Sequence, residues 1–116
     1  MGVLLGIFNL HQAAERCYKS ILLVFTNYNP NEHWLAALSG QVVVLDNSFD
    51  SIFPNETSEE KDRLMLLDYA YIGARYDPKY RISKSDLEIL ALSVKKLLDK
   101  TKSVCLNRIS DFIADD

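Results

Sequence analysis

Glycine and proline are scarce in this chain of 116 residues, which has four glycines and three prolines. Since these residues supply many of the tight turns of β-sheet proteins, their scarcity favours long uninterrupted helices. Cysteine is scarce too: Cys17 and Cys105 are the only two, and neither has a CxxC partner. We therefore predict two buried thiols in a reducing compartment, with one long-range disulfide as the alternative.

The chain also lacks an excess of positive charge and any long apolar run. Its net charge is −3, so nucleic-acid binding would need a local basic patch rather than the overall field. No stretch reaches the ~18 apolar residues of a membrane span. The apolar N-terminus has neither the basic region nor the cleavage site of a signal peptide. We predict a single cytoplasmic domain over residues 1–116, without membrane contact.

Familiar catalytic and cofactor motifs are missing as well. The sequence has no glycine-rich phosphate loop, no zinc-type spacing of Cys and His, no HExxH and no Gly-x-Ser-x-Gly. Only two histidines occur, His11 and His33. A dyad of His11 and Cys17 is not expected, because Cys17 falls among the apolar residues at helical spacing. No metal and no cofactor is predicted.

What the sequence does contain is helical periodicity. It predicts a first helix over about residues 3–28, a second from Asn29-Pro30 through 41–45, a third over 58–76, and a last one opening at Ser83. Residues 41–45 are β-branched, but a lone strand would have nothing to pair with. Capping boxes at residues 57–60 and 83–86 mark the starts of the third and the last helix. Residues 46–57 are predicted to form a loop whose side chains Phe49, Ile52 and Phe53 pack onto the bundle. The expected fold is an all-α antiparallel bundle of four to five helices, five if the last one breaks near Asn107.

Apolar stripes indicate which helix faces are buried. The first helix is predicted to bury Ile7, Leu10, Ala14, Cys17, Ile21, Val24, Phe25 and Tyr28. Leu22 and Leu23 form a second apolar flank, typical of a helix with two neighbours or an oligomer partner. The last helix is predicted to bury Leu87, Leu90, Ala91, Val94, Leu97, Leu98, Thr101, Val104 and Cys105.

Residues 69–80 end the third helix in a mixture of tyrosine, arginine, aspartate and proline. Pro78 cannot lie deep in a helix and disfavours helical backbone at Asp77, so Arg75 should lie in the last turn. The helix dipole favours a cation there. Either Arg75 and Lys79 cap carbonyls while the tyrosines pack, or this corner binds a ligand.

A set of polar side chains on the first helix is likewise open to two interpretations, a solvated face or part of a ligand site. His11, Glu15 and Tyr18 follow one edge of the helix beside the apolar stripe, and Glu15 also neighbours Gln12 and Lys19. The simplest interpretation is a solvated face with a Glu15–Lys19 pair worth a few tenths of a kcal/mol.

Several segments together resemble the HEPN domain (higher eukaryotes and prokaryotes nucleotide-binding). Residues 8–19 match its pattern hydrophobic-x-x-His-Gln-Ala-x-Glu-(Lys/Arg)-x-x-Lys, 28–33 its Pro-x-x-His break, and 74–80 its Ala-Arg-Tyr segment. Residues 53–61 and 82–88 are similar to bacterial members fused to a nucleotidyltransferase. The resemblance covers residues 7 to about 100, with the motifs in the right order.

The resemblance implies a helical bundle that binds nucleotides or RNA and often forms a homodimer. Many members are toxin-like ribonucleases that act with a nucleotidyltransferase in cis or in trans. This chain would then be the C-terminal portion of a two-domain protein or a short stand-alone one, in a toxin–antitoxin-like system. Family chemistry uses Arg-x(4–6)-His, but positions 80, 81 and 82 after Arg75 are Tyr, Arg and Ile. We therefore expect no ribonuclease activity, unless folding brings His11 or His33 beside Arg75.

The leading hypothesis is a non-catalytic domain that binds a nucleotide or RNA phosphate. Arg75 would pair with the phosphate through its fork of donors. Lys79 and Arg81 would add charge, and Tyr76 or Tyr80 would stack on a base. The predicted contributors from the first helix are His11, Gln12, Glu15 and Lys19. The competing hypothesis is an interaction module without ligand, in which the tyrosine corner and the Leu22/Leu23 flank contact a second copy or another protein. A metal-free ribonuclease is the third.

Overall fold

The computed structural model describes residues 2–114, which form four α-helices: α1 (Gly2–Thr26), α2 (Leu35–Leu45), α3 (Ser58–Tyr76) and α4 (Lys84–Ala114). A 3-10 helix (Asn47–Ser51) lies in the connection between α2 and α3. No strand occurs among residues 2–114, and 41–45 is helical. The predicted all-α bundle is confirmed.

Helix α1 lies at the centre of the bundle. It packs against α2, α3 and α4, whereas α3 and α4 contact each other only slightly. The predicted stripe through Ile7, Ala14 and Ile21 is buried, as is the neighbouring edge with His11 and Glu15. A helix with three neighbours must bury more than one stripe, which explains why the polar edge is inside.

One prediction for the end of α1 is wrong, and another is confirmed for only one of its two residues. Tyr28, expected on the buried stripe, lies beyond the helix and is exposed. Of the second apolar flank, Leu22 is in the core, as expected for a helix with more than one neighbour, whereas Leu23 is exposed. Helix α1 ends because Asn27 adopts a left-handed conformation (φ 57°). The backbone therefore turns away before Tyr28 can continue the stripe.

Helix α2 begins at Leu35, not at Asn29-Pro30 as predicted. Its N-cap residue, Trp34, provides no side-chain cap. Asp68 of α3 caps this end instead, by accepting from the backbone amides of Leu35 and Ala36. The start of α2 is thus set by a distant residue, which a local capping rule does not detect.

The caps of α3 and α4 follow the sequence. Thr57 Oγ1 accepts from Glu60 N at 3.1 Å, while Glu60 Oε1 accepts from Thr57 N at 3.0 Å, which completes the predicted capping box. At the start of α4, Ser83 Oγ accepts from Asp86 N at 3.0 Å. The Asp86 carboxylate accepts from Arg63 Nε at 3.1 Å instead of from the Ser83 amide, so within residues 2–114 only half of the second predicted capping box forms. Helix α4 continues through Asn107 to Ala114 without a break, so residues 2–114 form four α-helices rather than five.

The buried stripe of α4 is narrower than predicted. Leu90, Val94, Leu97 and Thr101 are buried, but Ala91 and Leu98 are exposed and Ser93 is buried instead. Because α4 packs along its length mainly against α1, only one line of residues is covered. In the loop after α2, Phe49 and Phe53 are buried and Ile52 is half-buried, as expected.

The thiols of Cys17 and Cys105 are both free, Cys17 buried and Cys105 half-buried. Burial raises the pKa of both thiols, which disfavours the reactive thiolate. Among residues 2–114, none of the helices combines the length and the apolarity needed to cross a membrane.

Candidate functional site

A polar cluster fills the space between α1, α3 and the segment before α2. Its centre is Glu15, which is buried in α1. The Glu15 carboxylate lies 3.2 Å from Lys19 Nζ, 3.2 Å from His33 Nδ1 and 3.9 Å from His11 Nδ1. The Glu15–Lys19 pair was expected, but the solvated face was not found, because α3 and the segment before α2 cover this edge of α1.

Asp68 closes the cluster from the α3 side. Its Oδ1 accepts from Leu35 N at 2.6 Å and its Oδ2 from Ala36 N at 3.1 Å, while Oδ1 lies 3.9 Å from His11 Nε2. One carboxylate therefore connects α1, α2 and α3. Sequence reasoning missed this role, since Asp68 is 33 positions from Leu35 and no short motif joins them.

His11 is fully buried, and its Nε2 has no hydrogen-bond partner among residues 2–114. Burial lowers the pKa of His11 below its ordinary value of 6.5, although Glu15 and Asp68 act in the opposite direction. The imidazole is accordingly neutral near pH 7. His11 was predicted to contact a ligand, but its burial leaves no path for direct contact in this conformation.

Tyr71 joins this cluster to the end of α3. Its ring stacks on His33, with centroids 4.5 Å apart and planes 11° from parallel. The same ring lies 5.4 Å from the His11 ring and 4.9 Å from the guanidinium carbon of Arg75. The fold therefore places His33 and Arg75 at one aromatic ring, without a hydrogen bond between them.

Arg75 is exposed but well held. Its Nε and Nη2 donate to the carbonyl oxygen of Tyr71 at 3.0 and 2.6 Å, as the capping interpretation predicted. Its guanidinium carbon lies 4.8 Å from the centroid of Phe8 and 4.9 Å from that of Tyr76. No carboxylate of residues 2–114 lies within 4.0 Å of it. The contact with Phe8 was not predicted, because it depends on how α1 docks on α3.

The residues after Arg75 differ in their accessibility. Tyr76 is 71% exposed, and Lys79 is exposed as well. Arg81 Nη1 donates to the carbonyl oxygens of Pro78 and Tyr80 at 2.9 and 2.7 Å. The end of α3 and this turn therefore present three cationic side chains close in sequence, of which Arg75 and Arg81 also cap backbone carbonyls.

Tyr80 does not offer the free ring that the stacking prediction required. It is buried, and its hydroxyl donates to the carbonyl oxygen of Leu66 at 2.7 Å. Burial raises the pKa of Tyr80 to about 12. Its hydroxyl fastens the turn after α3 onto the helix, and of the two tyrosines predicted to stack on a base, only Tyr76 has an exposed ring.

Among residues 2–114, none of the predicted α1 residues forms a hydrogen bond or an ion pair with Arg75. The α1 residue that contacts the guanidinium is Phe8, which was not predicted, and Lys19 lies eleven positions after it, roughly 16 Å along the helix axis. Gln12 is half-buried, with Nε2 3.4 Å from His11 Nδ1. The structure thus separates the predicted site into the buried polar cluster and an exposed surface. We call this surface the Arg75 corner: Phe8, Arg75, Tyr76, Lys79 and Arg81.

The chemistry available at these two places differs. Within residues 2–114, no group of three or more His, Cys, Asp or Glu side chains is arranged to hold a metal ion. The buried cluster connects helices, whereas the Arg75 corner presents exposed donors and a ring. Its chemistry is therefore that of anion binding and stacking.

Comparison with known proteins agrees with this fold. The family model of the HEPN domain matches residues 3–104. A comparison with curated proteins finds no match. The HEPN fold is all-helical, as are the four helices described above. Because the matched segment covers most of the sequence, the chain belongs to the HEPN domain family.

Proposed function

We propose that this HEPN domain binds the phosphate of a nucleotide or an RNA at the Arg75 corner. Membership of the family supports a nucleotide- or RNA-related module in general. The observation that carries the proposal is Arg75 itself, an exposed guanidinium held by the Tyr71 carbonyl and by aromatic rings, with no carboxylate of residues 2–114 beside it.

The geometry of Arg75 suits a phosphate. A guanidinium has five N–H donors, and the Tyr71 carbonyl takes two of them, so that three are left for a ligand. Because the side chain is already fixed, less rotamer entropy is lost on binding. A fork of donors in a fixed orientation also recognises phosphate better than a point charge.

Neighbouring residues supply the other contacts of a nucleotide. Lys79 and Arg81 add positive charge to a chain whose net charge is negative, which makes this corner a local basic patch. The Tyr76 ring is available to stack on a base. Single-stranded RNA and free nucleotides share both features, a phosphate and a base.

The proposal includes the absence of ribonuclease activity in the domain itself. No histidine follows Arg75 at the spacing of four to six residues. His11 is buried, and His33 has Nδ1 3.2 Å from Glu15 and its ring stacked on Tyr71. By resemblance alone, we further propose that the domain acts as a homodimer with a nucleotidyltransferase, in cis or in trans, in a toxin–antitoxin-like system.

Calorimetric titration with ATP, GTP, their monophosphates and a short single-stranded RNA tests the binding proposal. We expect dissociation constants in the micromolar range for the wild type. Arg75→Ala should abolish binding, and Arg75→Lys should weaken it. Arg16→Ala is the matched control, since it removes one exposed arginine from α1 and should leave affinity unchanged. Flat titrations for every ligand, or equal loss in the Arg16 variant, would contradict the proposal.

Incubation of the purified domain with labelled RNA tests the proposed absence of catalysis. We expect no cleavage above that of a buffer control. Cleavage that disappears both in Arg75→Ala and in His33→Ala would overturn this part of the proposal. It would establish His33, which lies in the segment between α1 and α2, as the catalytic histidine.

An interaction module is the second candidate function, and the end of α4 favours it. Leu106, Phe112 and Ile113 are more than half exposed there, and Leu23 near the end of α1 is exposed too. Large exposed apolar groups of this kind often mark contact surfaces. If Leu106→Glu changes the molar mass measured by light scattering while Arg75→Ala does not, the contact surface is at α4 and the ligand site is separate. If Arg75→Ala itself dissociates an oligomer, the Arg75 corner is the contact surface.

A further inference from the structure

A cavity of about 440 Å³ lies between α2, the loop that follows it and α3. Its walls are mainly aromatic and aliphatic, and include Tyr18, Trp34, Phe49, Phe53, Leu64 and Tyr69. A volume of this size is typical of small-molecule sites, which combine apolar walls with a few polar groups. None of the residues of the Arg75 corner lines it.

One wall carries a hydroxyl that no other group of residues 2–114 engages. Tyr18 lines the cavity and is 3% exposed as a residue. Its hydroxyl is not among the enclosed side-chain atoms that lack a partner, so it faces the open space of the cavity. Burial of the side chain raises the pKa of Tyr18, so that the hydroxyl remains a donor. A ligand with an oxygen or nitrogen acceptor would take the place of the water that this hydroxyl meets in the cavity.

The charge of the walls has one sign. Asp50 and Asp68 line the cavity, whereas no Lys, Arg or His does. Each Asp68 oxygen accepts one backbone N–H of α2 and has a further lone pair free. Lys100 lies 5.0 Å from the Phe49 ring but does not line the cavity. Such walls disfavour a phosphate or a carboxylate and favour a protonated nitrogen.

We propose that this cavity binds a small aromatic amine that also carries a hydrogen-bond acceptor on its ring. The ring would lie among the aromatic walls, the ammonium would face Asp50 and Asp68, and the acceptor would receive the Tyr18 hydroxyl. Nothing in this site depends on the phosphate-binding proposal, since the two use different side chains and opposite charge.

Tyramine is the probe that tests the site, because it combines a phenol oxygen with an ammonium on one short chain. Its matched control is hydroxyphenylpropionate, which has the same ring and a carboxylate instead. Trp34 is the only tryptophan of the chain and lines the cavity, so its fluorescence reports occupancy. We expect a saturable change with tyramine and at least about tenfold weaker binding of the acid, equivalent to about 1.4 kcal/mol.

Three variants separate the contacts. Tyr18→Phe removes only the hydroxyl and should weaken tyramine binding about two- to tenfold, the usual range for the loss of one neutral hydrogen bond. Asp50→Asn should weaken tyramine binding and reduce the difference in affinity between tyramine and hydroxyphenylpropionate. Ser39→Phe places a ring in the cavity from α2 and should abolish binding. Arg75→Ala should leave tyramine affinity unchanged, which keeps this test independent of nucleotide binding.

Several results would overturn the proposal. These are the absence of saturable tyramine binding, equal or tighter binding of the acid, and unchanged affinity in the Ser39→Phe variant. If circular dichroism shows that Ser39→Phe is unfolded, then Tyr18→Phe and Asp50→Asn decide, and wild-type affinity in both would equally refute it.

Discussion

Replacing Asp68 by alanine should strongly destabilise the fold, although this residue is on a surface helix and only partly buried. Its carboxylate accepts from two backbone amides at the start of α2, and the N-cap residue of that helix offers no side-chain alternative. The first amides of a helix have no partners within the helix. Without Asp68, the N–H groups of Leu35 and Ala36 would have to find water, and Leu35 is buried.

The magnitude follows from those contacts. A single N-cap side chain is worth about 0.5–2 kcal/mol, usually for one hydrogen bond. Asp68 makes two such bonds, at 2.6 and 3.1 Å, and its charge at a helix N-terminus adds about 0.3–1 kcal/mol. We therefore expect Asp68→Ala to lower the free energy of unfolding by about 2–4 kcal/mol. In a domain of this size that corresponds to a fall in Tm of roughly 10–20 °C.

Urea and thermal unfolding, followed by circular dichroism, measure this effect. Asp68→Asn keeps one oxygen acceptor but loses the charge, so a loss of about 1–2 kcal/mol is expected. Asp62→Ala is the control: it removes an exposed carboxylate from the same helix that has no ion pair within residues 2–114, and should change stability by less than about 0.5 kcal/mol. Amide hydrogen exchange should accelerate in α2 more than in α3.

Equal stability of Asp68→Ala and Asp62→Ala would refute this reasoning. It would mean that water satisfies the first amides of α2 as well as the carboxylate does. A large loss in Asp68→Ala with unchanged exchange in α2 would also refute it, since the destabilisation would then have another source.

Three further changes should have measurable effects. Because folding lowers the pKa of His11, the unfolded chain binds more protons below about pH 6.5; this stability is present above that pH and lost as the pH falls through the folded pKa. As the pH is lowered across this range, the free energy of unfolding measured by urea titration should therefore fall by at most about 1.4 kcal/mol per pH unit, and by less in His11→Gln. A methyl group on Gly73 would lie 2.6 Å from the Tyr69 ring and 2.7 Å from the Tyr80 ring. Thermal melts of Gly73→Ala should therefore show a free energy of unfolding lower by about 1–3 kcal/mol. In the control Gly40→Ala the added methyl group meets nothing within 4 Å, and the free energy of unfolding should rise by up to about 1 kcal/mol. Tyr80→Phe should cost about 1–2 kcal/mol in urea unfolding, through the lost bond to Leu66, without altering nucleotide titrations.

The fold could be predicted from sequence where the determining contacts are local. The start of α3 depends on Thr57 and Glu60, three positions apart, and its end on Pro78. Both were predicted within a residue or two. The start of α2 was not, because its cap comes from Asp68 in a different helix. Local rules identify helix ends that cap themselves and miss ends that another helix caps.

The candidate site was predictable in its residues more than in their environment. Helical spacing identified His11 and Glu15 as one edge of α1. Whether that edge meets water or α3 depends on docking, and docking buried it. For Arg75, the position at the end of α3 followed from Pro78, whereas the Phe8 contact required the packed structure. Spacing gives the direction of a side chain but not what lies in that direction.

A chain of negative net charge can still present a cationic corner, because its nearby acids are already paired. Glu15 is occupied by Lys19 and His33, and Asp68 by the amides of α2. Asp77, the acid closest in sequence to Arg75, accepts from the Tyr69 hydroxyl and from the Lys79 amide. Each of these carboxylates stabilises the fold instead of compensating the guanidinium. The charge that decides binding is thus the local one, which the net charge of the sequence does not report.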